Sequence, residues 1–135
     1  MRVIDLPAIE RSIAYREVID RMRPALVAYS RGECAMPMPM HLDIAPSGEV
    51  HIKSSYRQGG GFFVLKVAST FPANAARGLP TGSGMMLLAS AETGEPVVLL
   101  ADAGHLTDVR TAAVAALLAV VPLPSVSLDV ATTRS

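Results

Sequence analysis

Glu49 to Pro80 reads EVHIKSSYRQGGGFFVLKVASTFPANAARGLP, and it contains both lysines of the chain, Lys53 and Lys66. Every other basic side chain, histidines aside, is arginine. Phe62 to Ala68, FFVLKVA, is aromatic and β-branched and follows the Gly59-Gly60-Gly61 turn, which predicts a strand. Side chains alternate across a strand, so Phe62, Val64, Lys66 and Ala68 share one face and Phe63, Leu65 and Val67 the other. A strand apolar on both faces is expected to be covered on both. Lys66 is then a buried or cleft-lining lysine, which needs an anionic partner or a lowered pKa. The alternative is a gatekeeper lysine on an edge strand, where a charge blocks edge-to-edge pairing. Glu49 to Tyr56 predicts a second strand joined to the first by the glycine turn. Two adjacent antiparallel strands can present Lys53 and Lys66 on one face, as a site for a carboxylate or phosphate.

Upstream, Arg2 to Asp5 predicts a short strand, and a helix starts at Asp5 or Leu6 with Pro7 in its first turn. Tyr15 to Arg31 has helical spacing, with Val18, Met22, Leu26 and Tyr29 near one face. Arg11, Arg16, Arg21 and Arg23 make a solvated face. Pro24 either kinks this helix or begins another, and Gly32 is its stop. Met36-Pro37-Met38-Pro39-Met40 is extended and edge-like because alternate prolines cannot sit in a central sheet. It is expected to pack as a strap over the core. His41 to Ile44 is a short strand, and Pro46-Ser47-Gly48 turns into the lysine strands.

Downstream, Thr70 to Pro80 is an irregular connection of the kind that often carries binding residues. Gly84 to Ser90 and Pro96 to Ala101 are two more strands around a Glu92-Thr93-Gly94-Glu95 hairpin turn. Leu106 to Arg110 opens the last element, with Thr107 as N-cap, and Thr111 to Val120 is alanine-rich helix. Arg110 in a first turn opposes the helix dipole. It is either an ordinary exposed arginine or part of an anion site shared with backbone N–H groups. The fold class is therefore α+β: an antiparallel, open-barrel-like meander sheet with N-terminal helices and a C-terminal alanine-rich helix.

Composition narrows the function. The 135 residues fit one domain, half of them hydrophobic, with a formal net charge of zero, which argues against nucleic acid as a partner. No apolar run approaches the roughly 20 residues that span a bilayer, so no membrane partner is expected. The N-terminus lacks signal-peptide character, and the single cysteine, Cys34, suits a reducing cytoplasm. His41, His51 and His105 are dispersed, and no Cys/His run has metal-ligand spacing. Gly82-Ser83-Gly84 lacks the strand-to-helix setting of a dinucleotide fingerprint, and Gly59-Gly60-Gly61 precedes a strand rather than a helix. The residues themselves support an anion site of Lys53, Lys66 and Arg110 and reveal no reaction.

The residues also resemble a known family. The Val64-Leu65-Lys66-Val67 strand with Asn74 and Gly78-Leu79-Pro80, the Thr93-Gly94 hairpin, and Leu106 to Ala113 (LTDVRTAA) are similar to the N-terminal domain of the ornithine cyclodeaminase/mu-crystallin family. The likeness runs from about Met36 to Ala119. MPMPMHLDI followed by EVHIKSSY most resembles the branch associated with ectoine utilisation. The resemblance implies a dimer-forming, substrate-binding domain, residues 1–120, ahead of a Rossmann domain. It implies NAD(P) chemistry on amino acids or cyclic imines: ammonia-losing cyclisation, dehydrogenation or imine reduction. By that resemblance Lys66 is the catalytic lysine and Arg110 holds the substrate carboxylate, with Lys53, His41 and Asn74 as further substrate-binding residues. His41 occupies the region where many members place an arginine.

After the alanine-rich helix the family continues into a Rossmann strand, whereas this sequence reads VVPLPSVSLDVATTRS, a tail of uncertain order over residues 121–135. The expectation is a truncated or frame-disrupted member, or a retained fragment. It would supply the substrate-carboxylate half of the site, bind no cofactor alone and form a homodimer. The alternatives are a non-catalytic dimerising module that binds small carboxylates and a remnant of a disrupted gene.

Overall fold

The computed structural model describes residues 1–119. The expected tail over residues 121–135 lies outside the described residues. Strands β3 to β7 form the expected meander: β3 (Met40–Ile44), β4 (Gly48–Arg57), β5 (Phe62–Thr70), β6 (Gly82–Ser90) and β7 (Pro96–Ala101) pair antiparallel in succession. β1 (Arg2–Asp5) adds parallel to β7 at one edge. β2 (Cys34–Ala35) and β3 share the other edge, each pairing with β4. The prolines Pro37 and Pro39 fall between these two short strands, where no ladder N–H is required. The result is one open sheet of seven strands.

Helix α1 (Leu6–Ser12) is capped by Asp5, whose carboxylate accepts from the Ala8 N–H at 3.0 Å. Helix α2 (Tyr15–Ser30) runs through Pro24 without division. It ends in a Schellman motif: Gly32, at φ 72°, donates to the Tyr29 carbonyl and Glu33 to that of Ala28. Helix α3 (His105–Ala119) packs on α2 through small residues, with Ala113, Leu117 and Ala28 buried.

Three expectations are corrected. α3 starts at His105, so Thr107 is inside the helix and Arg110 stands in its second turn. The methionine–proline segment is no strap over the core, because Met38 is 92% exposed. β5 is central, between β4 and β6, which removes the edge-gatekeeper reading of Lys66, but its faces are only half-buried. Among the described residues the buried apolar side chains are Ile9, Ala28, Ala89, Ala113 and Leu117. The sheet face opposite Lys66 leaves Met40, Leu42, Ile44 and Met85 exposed.

Candidate anion-binding site

Register sets the site. Lys53 of β4 lies directly opposite Lys66 of β5, and Lys66 opposite Met86 of β6, so all three share a row and a face. α3 crosses above this face because the turn before it sits tightly on β6. A Cβ on Gly84 would lie 2.8 Å from the Val67 carbonyl oxygen and 3.5 Å from the Gly104 Cα, and Gly104 itself has φ 91°. Backbone approach at these two glycines holds the first turn of α3 against the sheet. Leu106 and Arg110, one turn apart, then face the lysine row.

A cavity of about 350 Å³ lies between these elements, lined by Lys53, Lys66, Met86, Leu106 and Arg110, with Met36 at its side. None of its three cations forms an ion pair among the described residues. Burial, then the Arg110 guanidinium and then the Lys53 ammonium, hold Lys66 below the ordinary lysine pKa. Asp102 and Asp108 act on it in the opposite direction.

Asp102 escaped the sequence reading. It directly follows β7, is 1% exposed, and accepts the Leu106 N–H through Oδ2 at 2.9 Å. Oδ1 has no hydrogen-bond partner among the described residues. Asp102 thus does the capping expected of Thr107. The signal available in sequence was an aspartate in the Ala101-Asp102-Ala103-Gly104 turn between strand and helix.

Two expected site residues lie elsewhere and do not line the cavity. Asn74, in a 3₁₀ turn (Pro72–Arg77), donates through Nδ2 to the Pro80 carbonyl at 3.1 Å and so braces its own loop. His41 sits on β3 with its Nε2 3.0 Å from Glu49 Oε2 and 3.3 Å from Asp43 Oδ1. Those carboxylates oppose a substrate anion there.

Among the described residues, the one parallel pairing is β1 with β7, and Gly82-Ser83-Gly84 lies within strand β6. The β7–α3 turn does lead from strand to helix, yet it carries Asp102, with Asp108 following in the helix, where a pyrophosphate needs unopposed N–H donors.

The model of the ornithine cyclodeaminase/mu-crystallin family matches residues 3–121. The chain belongs to that family. An uncharacterized cyclodeaminase of Sinorhizobium fredii is 47% identical over 85 residues, which are 62% of this chain and 26% of that protein. A solved archaeal alanine dehydrogenase dimer with bound NAD matches 84% of this chain and 34% of its own, at TM-score 0.78 and 26% identity. The Δ1-pyrroline-2-carboxylate reductase of Thermococcus litoralis, solved with NADH and L-proline, matches 85% of this chain and 36% of its own, at TM-score 0.79 and 26% identity. The family therefore includes NAD-binding relatives. The chain spans between 26% and 32% of the length of the curated relatives it matches. Among the described residues, no helix is long and apolar enough to cross a membrane.

Proposed function

We propose that residues 1–120 act as the substrate-binding, dimerising domain of an ornithine cyclodeaminase-type enzyme, and that Lys53, Lys66 and Arg110 receive the carboxylate of a small amino or imino acid. The observation that carries this reading is the three-cation cavity, whose cations form no ion pair among the described residues. A carboxylate there relieves the repulsion among the cations and accepts charge-assisted hydrogen bonds. The apolar side of the cavity, Val64, Met86 and Leu106, suits the hydrocarbon part of such a ligand. Lys66 is the group to move a proton at the substrate, since a depressed pKa brings an amine closer to the range useful for general-base work. Redox chemistry on the bound acid would belong to a nicotinamide cofactor of the kind bound in the solved relatives.

The exposed apolar row of Met40, Leu42, Ile44 and Met85 supports a second copy of the chain as the occupant of the opposite sheet face. The archaeal alanine dehydrogenase relative is a dimer, which agrees with this assignment.

The test is an NMR titration of the chain with L-proline, L-ornithine and L-alanine. Shifts that saturate and centre on Val64, Lys66, Met86 and Arg110 are expected. No shift there up to about 50 mM, well above the millimolar Kd that corresponds to about −4 kcal/mol, overturns the reading.

A further inference from the structure

His41 and His51 are ten positions apart in sequence, yet the β3–β4 hairpin sets them directly opposite each other. The next pair on the same face is Asp43 opposite Glu49. Two consecutive cross-strand pairs thus present two imidazoles and two carboxylates as one patch. The imidazole rings stack at 4.6 Å between centroids and 12° between planes. Both Nε2 atoms turn to the same carboxylate: His41 to Glu49 Oε2 at 3.0 Å and His51 to Glu49 Oε1 at 3.4 Å. His41 Nε2 also lies 3.3 Å from Asp43 Oδ1. The ligand atoms of His41, Glu49 and His51 all lie within 4.8 Å of one another.

We infer that His41, His51 and Glu49, with Asp43 as fourth donor, form a binding site for a divalent transition metal of the zinc class, which clips β3 to β4. The donor chemistry is that of zinc: two imidazole nitrogens and two carboxylate oxygens suit a tetrahedral centre. Metal–ligand bonds of about 2.0–2.2 Å place tetrahedral donors roughly 3.3–3.6 Å apart. The nitrogen–oxygen distances of 3.3 and 3.4 Å fall within that range, and the His41–Glu49 contact at 3.0 Å lies just below it. Converging the donors, which lie within 4.8 Å of one another, calls for side-chain rotation, and these half-exposed and exposed residues at a sheet edge permit it. Both Nε2 atoms lie on the Glu49 side of the ring stack, and the nearly parallel rings have to swing out of the stack for their in-plane lone pairs to converge on one ion.

The location gives the metal a structural task. β3 pairs with β4 alone, so nothing on its outer side holds it among the described residues. Four ligands drawn equally from the two strands tie them together. The site is separate from the anion cavity, of which none of these residues forms part, and it does not depend on the function proposed above. It lies near the cavity all the same. His51 and Lys53 are alternate residues on one face of β4, about 6.7 Å apart along the strand. A dication on His51 adds positive potential beside Lys53.

The test is calorimetric titration of the full, tag-free chain with zinc chloride in chelator-free buffer. One zinc per chain is expected, with a Kd on the order of 1–10 μM for an exposed four-donor site. His41→Ala and His51→Ala should each weaken binding by at least about tenfold. His105→Ala and Cys34→Ser should not. Circular dichroism of each variant establishes that it is folded, and Glu49→Gln supplies a second, nearly isosteric loss of a ligand. Hydrogen exchange of the β3 amides should slow on zinc addition. The inference is overturned if the wild-type Kd exceeds about 1 mM, if His41→Ala or Glu49→Gln binds zinc as tightly as the wild type, or if Cys34→Ser removes the binding.

Discussion

Replacing Lys66 by methionine should make the chain more stable and its cavity a poorer anion binder. In the folded sheet the Lys66 ammonium stands directly across from that of Lys53, on an apolar row that continues to Met86. Directly opposed like charges cost roughly 0.2–1 kcal/mol. Removing one of them, with relief of Lys66 desolvation in addition, should raise the melting temperature by roughly 1–5 °C for a domain of this size. The pH dependence has a definite sign. The folded-state pKa of Lys66 lies below its ordinary value of 10.5, so between the two values the unfolded chain holds more protons than the folded one. Wild-type stability on this account rises with pH across that window, and the Lys66→Met advantage, full at neutral pH, shrinks as pH 10.5 is approached. Saturating carboxylate should invert the order. A ligand at a hundred times its Kd adds about 2.7 kcal/mol to the wild type, and the variant binds it less well. Thermal melts followed by circular dichroism at pH 7 and pH 10, with and without L-proline, read all three effects. The reasoning is refuted if Lys66→Met melts lower than the wild type at pH 7 without ligand. That result would mean that Asp102 and Asp108 outweigh Lys53, Arg110 and desolvation.

Arg110→Leu should cost about 1.5–3 kcal/mol of carboxylate affinity, or roughly 10- to 150-fold, by NMR titration, with the melting temperature unchanged or slightly raised, because the side chain is exposed and its repulsion of Lys66 is removed. Asp102→Ala removes the acceptor for the Leu106 N–H at the start of α3 and should destabilise the fold by about 1–3 kcal/mol in urea denaturation. Gly84→Ala forces a methyl group against the Val67 carbonyl under α3 and should cost about 1–3 kcal/mol in the same assay. Sedimentation at tens of micromolar should show a dimer that Met85→Asp and Leu42→Asp each dissociate; a monomeric wild type would remove the second copy from the open sheet face.

Local chemistry was enough to place most elements. Asp5, Pro7 and Gly32 mark helix ends through interactions within a few residues, and the alternation in FFVLKVA sets the two faces of β5. The lone ammonium on that strand, and the arginine early in the last helix, were conspicuous because burying or misplacing a charge is costly in any fold. The resemblance to the family was carried by the same stretches. Sequence went wrong where a competing partner was nonlocal or one residue pattern admitted two structures. Thr107 and Asp102 are both competent caps, and the tight packing of Gly104 on Gly84 selects Asp102. Pro24 was open to two readings, and the chain accepts it inside α2. Register was beyond the sequence altogether. A slip of one residue turns every side chain of a strand to the other face, so only the assembled sheet sets Lys53 against Lys66 and His41 against His51. The charges were legible one by one; which of them meet depends on pairing between strands, and that is settled by the tertiary structure.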